Sequence, residues 1–395
     1  MEVLVPPALA VAAVTRLEVL RSAITRQPQS AMLKEQLAAL LFDRDLFEEA
    51  AAILGDSTTG VSGRELLLLA RILLARNAAS DAERSEALAA QAVAIAETPG
   101  QREQAMLARA RALLRLGRDD QGLDLLRQII TANPNQHGAF RTFTDRLLHL
   151  GQGAAVIDLA DQMVLAGASH PRWLGARMLG QARMGDHQVA RELSGIDLVH
   201  TTTLPTPAGW PDLDAFNAAL QTEAEADPDL REGRHGTSSR GTMRVDHPQR
   251  AGSPAFDVLH RRIAGEVARR VAELEVIDHP WVAARPERLV MRSWCVMTEA
   301  DGYEEWHNHP AGWMSGGYYI AVPDLGAGSE DRAGSLAFGV PPRLAGAEAA
   351  ASFGETIVPP FAGMLALFPS HAYHRTYPHG QQGRRICMAF DLEPG

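Results

Sequence analysis

Three glycines stand 34 residues apart: Gly117, Gly151 and Gly185. They sit in LLRLGRDDQGLDLL (113–126), LLHLGQGAAVIDLA (147–160) and MLGQARMGDHQVAREL (178–193). A period of this length is that of stacked helix–turn–helix units, each too small to bury its apolar face alone. The glycine falls where one helix must turn tightly into the next. Pro134 and Pro171 fall between units, where a helix must stop. Weaker copies with longer insertions read LLFDRDLFEEAAAIL (40–54) and LLARNAASDAERSEALAAQAVAI (73–95).

This pattern resembles a tetratricopeptide array of roughly five units over residues 15–195. No unit carries a full set of that family's consensus residues. The resemblance implies a concave groove that holds a peptide or protein. A bracing role for the helices, or a dimer contact, is the plainer alternative.

The composition changes near residue 195. Up to Gly195 the chain is rich in Ala, Leu, Arg, Glu and Gln, which favour helix. Beyond it lie five of the six Trp and ten of the fourteen His. The expected division is therefore a helical repeat domain at 1–195 and a second domain at 196–395. In the second, 196–255 reads as a mixed connector, with SSRG (238–241) and QRAGSP (249–254) loop-like. Phe256, Leu259, Ile263, Val267 and Val271 predict a helix over 255–275. The runs 288–298, 316–323, 334–340, 363–369 and 384–392 are β-rich and broken by Gly and Pro, the cadence of a jelly roll or barrel. The fold class is thus α + β multidomain, a helical solenoid followed by a jelly roll with flanking helices.

Several function classes are excluded early. The net charge of −10 leaves no basic excess for a phosphate backbone, so nucleic acid is not an expected partner. Lys34 is the only lysine, and no glycine-rich loop precedes it, which removes P-loop and Schiff-base chemistry. Two cysteines, Cys295 and Cys387, make neither a disulfide framework nor a four-cysteine zinc site. The apolar run Val3–Val14 is interrupted by Pro6 and Pro7 and is shorter than the about 20 residues that span a bilayer. It also lacks a basic leader. A cytoplasmic protein with no membrane contact is expected; the sequence does not fix an oligomeric state.

The second domain concentrates histidine. WHNHP places His307 and His309 two apart, so in an extended chain both face one side while Asn308 faces the other. Two such imidazoles can share a metal ion if a third ligand arrives from elsewhere. His374, after the apolar run GMLALFP, is the natural third. A basic pair, Arg384–Arg385, opens the last strand.

The stretches WHNHPAGWMSGGYYIAVP, IVPPFAGMLALFPSHAYHRTYP and RRICMAFDL resemble the 2-oxoglutarate/iron(II)-dependent oxygenases with a double-stranded β-helix. The likeness covers roughly 197–393 and is most specific over 302–392. It implies iron(II) held by His307, His309 and His374, with O2 and 2-oxoglutarate as cosubstrates. It further implies an arginine that grips the far carboxylate of 2-oxoglutarate. His309 stands where most of the superfamily has Asp or Glu; a position outside the ligand set is the alternative for it.

Strand parity chooses between the arginines. Arg385, Cys387, Ala389 and Asp391 share one face; Arg384 shares the other with the bulky Ile386, Met388 and Phe390. The small face suits a narrow interior, so Arg385 is the cosubstrate residue and Arg384 the lesser candidate. Ser315 and Tyr303 are further cosubstrate candidates. Trp306 and Trp313 are read as pocket walls or core, His371 and His379 as loop residues, and Gly316–Gly317 as close packing. The resemblance implies a dioxygenase that oxidises a C–H bond, and the repeats point to a peptide or protein substrate. A repeat scaffold with a metal-binding jelly roll is the non-catalytic alternative, and a three-histidine oxygenase without cosubstrate would leave Arg385 unused.

Overall fold

The computed structural model describes residues 2–7, 12–55, 61–168, 172–232, 238–249, 253–325 and 332–395. The chain forms two compact units, one built on Val11–Thr144, the other on Met1–Ala10, Asp145–Gly233 and Thr237–Gly395.

The first unit is helical. It contains α1 (Ala13–Arg26), α2 (Ala31–Asp43), α3 (Phe47–Leu54), α4 (Gly63–Arg76), α5 (Asp81–Ala94), α6 (Pro99–Arg115) and α7 (Asp119–Ala132). The next helix, α8 (His137–His149), begins there and ends in the other unit. Ser62 and Thr98 cap α4 and α6 through reciprocal bonds with Glu65 and Gln101, so these starts are set locally. The buried stripe Leu66, Leu69, Ala70 and Leu73 of α4 packs on Leu88, Ala89 and Ala92 of α5 and on Ala105 and Ala108 of α6. Small residues on one side and leucines on the other let neighbouring helices approach closely.

The glycine period is borne out in the backbone. Gly117, Gly151 and Gly185 have φ of 72°, 78° and 87°, each directly between two helices. In the weaker copies Asp45 (φ 62°) and Asn77 (φ 56°) take the same left-handed place. Asn and Asp are the side chains that tolerate it best, which is why those copies look degenerate while folding alike. Pro134 lies between α7 and α8 as expected; Pro171 lies outside the described residues.

The second unit continues the helices with α9 (Gly153–Leu165), α10 (Arg172–Met184) and α11 (His187–Ser194). It then forms two sheets. Its strands are β1 (Glu2–Leu4), β2 (His200–Thr203), β3 (Arg231–Glu232), β4 (Ser239–Asp246), β5 (Arg288–Glu304), β6 (Met314–Ala321), β7 (Leu336–Phe338), β8 (Thr356–Val358), β9 (Met364–Pro369), β10 (His374–Thr376) and β11 (Arg385–Pro394). The larger sheet has the order β2-β9-β6-β11-β5-β4-β3, with β1 parallel beside β5; the smaller is β10-β7-β8. All other pairings are antiparallel. The helices α12 (Leu213–Glu225), α13 (Pro254–Leu274), α14 (Pro280–Ala283), α15 (Pro342–Ala345) and α16 (Ala347–Phe353) complete the unit. Phe338 of β7 meets Phe368 of β9 edge-on, with centroids 5.1 Å apart, and so joins the two sheets through the interior.

Two differences from the sequence reading have clear causes. Ser239, Arg240 and Gly241, read as loop, belong to β4, because Ser239 and Arg240 pair with Glu304 and Tyr303 on an extended β5. The composition shift near 195 falls inside the second unit. Helices α9, α10 and α11 share the repeat chemistry of the first unit, yet α10 and α11 pack on α15, α16 and the site loops. Among the described residues no helix is long and apolar enough to cross a membrane.

Candidate metal centre

Two chain segments run past each other to build the site. His307 and His374 exchange backbone hydrogen bonds, N to O, of 2.9 Å each way, and His309 N donates to Ser370 O at 2.9 Å. This extended pairing puts His307 and His309 on one side and brings His374 to them. Asn308 faces away, toward Gly175 of α10. One ligand-capable nitrogen from each of the three histidines lies within 4.8 Å of the others.

The hydrogen bonds assign the protons. His307 Nδ1 faces Glu305 O at 2.7 Å, His374 Nδ1 faces Ala372 O at 3.0 Å, and His309 Nδ1 faces Asp391 Oδ1 at 2.8 Å. Carbonyl and carboxylate oxygens only accept, so each Nδ1 carries the hydrogen and donates it. Each Nε2 is then the ring nitrogen turned toward the centre. His309 Nε2 and His374 Nε2 stand 3.1 Å apart, a gap that a shared hydrogen or a shared metal ion can bridge. Nitrogens about 2.1 Å from a shared ion lie roughly 3.0–3.4 Å apart at ordinary coordination angles, so the spacing fits.

Burial holds His374 well below its usual pKa, with His307 and His309 adding to the effect. Burial, then His309, pushes His307 down to about 4. Both imidazoles are therefore neutral at neutral pH, the form that ligates metal. Trp294 of β5 stacks on His309 (5.5 Å, 24°), and Phe368 stands edge-on to His374 at 4.7 Å. These rings wall the site.

Arg385 shares a strand face with Asp391 and is 3% exposed. Its Nη1 donates to Gly334 O (2.8 Å) and Tyr377 O (3.3 Å), and its Nη2 to Thr376 Oγ1 (3.0 Å) and Thr298 Oγ1 (3.4 Å). All four acceptors are neutral. Among the described residues no carboxylate pairs with it. Burial pushes the neighbouring Cys387 thiol up to about 12 and raises the Tyr319 phenol, so neither supplies an anion to it. A buried cation without an anion is costly, and a bound carboxylate would relieve that cost.

The other expected residues go elsewhere. Arg384 points outward to Glu299 (2.6 Å) and Glu225 (3.4 Å). Ser315 is buried but donates to Asp391 at 2.7 Å, because β6 and β11 set the two directly opposite; it is not free for a cosubstrate. Tyr303 lies half-buried on β5 opposite Arg240. Trp313 is core: it stacks on Trp281 at 4.7 Å, and each indole N–H donates to the other's carbonyl. Trp306 lies beside the Arg375 guanidinium. His371 and His379 are in loops but buried, their Nε2 atoms donating to Leu193 O (2.9 Å) and Thr298 O (3.1 Å). Trp294 and the role of Asp391 were not foreseen. Parity placed Asp391 on the right face, but its partner Ser315 is 76 residues away in sequence.

Residues 292–391 match the family model described as "Putative 2OG-Fe(II) oxygenase". No curated protein matches the chain. Among solved structures, a Pseudomonas putida prolyl-4-hydroxylase is similar at 15% identity and TM-score 0.34, over 50% of this chain and 92% of that one. A Trichoplax adhaerens prolyl hydroxylase, solved with a hypoxia inducible factor peptide fragment, is similar at 11% identity and TM-score 0.37, over 53% and 91%. YrrB, a TPR protein with an unusual peptide-binding site, is similar at 15% identity and TM-score 0.33, over 45% and 90%.

Proposed function

We propose that this chain, a 2OG-Fe(II) oxygenase by its segment 292–391, oxidises a C–H bond of a peptide or protein substrate at an iron held by His307, His309 and His374. The observation that carries the site is the convergence of three imidazole rings, each with its Nδ1 held by an oxygen acceptor. Imidazole suits iron(II) as it suits zinc, copper and nickel, and the family match over 292–391 is what favours iron.

Iron(II), with 2-oxoglutarate and O2, supplies the oxidising power, 2-oxoglutarate going to succinate and carbon dioxide. The chain's own residues do the rest. Arg385 presents its planar guanidinium to the far carboxylate of 2-oxoglutarate, and the Thr298 and Thr376 hydroxyls beside it hold that plane. Trp294 covers the His309 ring and Phe368 the His374 ring, which limits the approach of water to those two. Ser315 is reassigned from cosubstrate contact to support of Asp391.

A chain-like substrate is supported by the stacked helix pairs, whose architecture presents an extended surface suited to a peptide. A reducing, cytoplasmic setting agrees with the two free cysteines. The test is anaerobic addition of Fe(II) and then 2-oxoglutarate to the full chain, followed in the visible region. A weak charge-transfer band that needs both additions is expected. Iron binding without any change on adding 2-oxoglutarate would refute the cosubstrate assignment.

A further inference from the structure

Three neutral imidazoles leave a bound divalent ion with its full positive charge inside a walled site. Negative charge stands just behind one of them. Asp391 Oδ1 lies 2.8 Å from His309 Nδ1, and both side chains are 12% exposed. That same oxygen accepts a 2.7 Å bond from the Ser315 hydroxyl. Ser315 has a single hydrogen and spends it there, so its 2.7 Å contact with Ser370 Oγ is one in which Ser370 donates. The donors thus run Ser370 to Ser315 to Asp391, with His309 converging from the other side. An oxygen that receives two donors is what an ionised carboxylate provides.

The surrounding backbone is built around this group. The register of β11 on β6 sets Asp391 opposite Ser315, and Ser370 O also holds the backbone N of His309. Gly312 passes so near that a Cβ on it would come within 2.5 Å of Ser370 Oγ and 3.5 Å of Asp391 Cβ. Among the described residues no guanidinium pairs with Asp391, so its charge is directed to His309.

We infer that Asp391 is a positioning residue that supplies the site's negative charge from outside the ligand set, acting on the metal through the His309 ring. It holds His309 in the tautomer that exposes Nε2, and it raises the electron density that Nε2 offers. This inference rests on the metal reading proposed above.

The experiment uses the full chain and Co(II) as the probe, with affinity read from its visible bands. Asp391→Asn keeps the shape and an accepting oxygen but removes the charge. It should weaken Co(II) by roughly 10–100-fold, the usual effect of losing such a partner. Equal affinity in wild type and Asp391→Asn overturns the inference. The same change should reverse sign on another background. His309→Asp puts a carboxylate beside Asp391, and two buried like charges repel. There Asp391→Asn should tighten Co(II) binding. Simple additivity of the two substitutions would mean a purely structural Asp391. A third measurement needs no variant: nitrogen NMR of histidine-labelled, Zn(II)-loaded protein should find the His309 proton on Nδ1. A proton on Nε2 sinks the inference. If wild type binds no Co(II) at all, the metal reading itself fails, and the inference falls with it.

Discussion

Arg385 offers the sharpest test of the cosubstrate site. Its guanidinium is buried and meets four neutral oxygens and no anion, while Arg384 sits in solvent with two glutamates. Replacing Arg385 with Ala removes the only charge able to pair with a carboxylate on that strand face. A hydrogen bond to a charged group is worth about 1.5–3 kcal/mol. Since about 1.4 kcal/mol is tenfold in affinity, the 2-oxoglutarate dissociation constant should rise by about one to two decades. Arg385→Lys keeps the charge but loses the fork and should fall between. Arg384→Ala breaks two exposed pairs, each worth at most about 1 kcal/mol of stability, and should leave 2-oxoglutarate affinity unchanged. The assay is an anaerobic 2-oxoglutarate titration of Fe(II)-loaded protein, with iron affinity measured separately as a check on folding. A larger defect in Arg384→Ala than in Arg385→Ala would refute the assignment of strand faces. No defect in either would remove 2-oxoglutarate from the reaction.

His374→Ala should abolish Co(II) binding while the far-UV helical signal stays; full occupancy in that variant would take His374 out of the ligand set. Gly180→Ala should lower the thermal midpoint, because its Cβ would meet Ile157 Cγ1 at 2.7 Å and Gly153 O at 2.9 Å. Overpacking of about 1–3 kcal/mol outweighs the roughly 1 kcal/mol that alanine gains in helix propensity, so a raised midpoint would show α9 and α10 are not so close. His371 is held down to about 4 by burial, so the unfolded chain takes up this proton first as pH falls. Stability should therefore drop between about pH 6.5 and pH 4, by up to roughly 3 kcal/mol from this group. His371→Gln, which can still donate to Leu193 O, should flatten that slope in urea unfolding measured across the range, and an unchanged slope would assign it to other groups.

What was legible in the sequence was what neighbours along the chain decide. A helix-to-helix turn needs left-handed backbone, and Gly117, Gly151 and Gly185 announce it; Asp45 and Asn77 meet the same need less visibly. The parity of WHNHP and of RRICMAFDL is likewise local, and it placed both histidines and both arginines on the faces they occupy. What stayed hidden depends on register between distant strands. Ser315 looks like a free donor until β6 is laid on β11 and Asp391 takes it. Ser239 and Arg240 look like loop until β5 proves long enough to pair with them. Trp294 and Trp313 are chemically alike, and only the sheet decides that one lines the site and the other fills the core. The composition shift near 195 marks a change of residue type, whereas the compact units are set by which helices touch which sheets.

The end of the helical array is tied to the metal loops. His371 Nε2 bonds to Leu193 O of α11, Arg172 of α10 bonds to Pro310 O, and Gly175 of α10 leaves just enough room for the His371 backbone, where a Cβ would come within 3.3 Å. Repeat arrays usually gain and lose units freely along their length. Here the α10–α11 pair has a second neighbour to satisfy, so an insertion or deletion at that end would also move the histidine segment. Length variation among descendants of such a chain should therefore collect toward the α1 side, leaving the last pair as fixed as the site it supports.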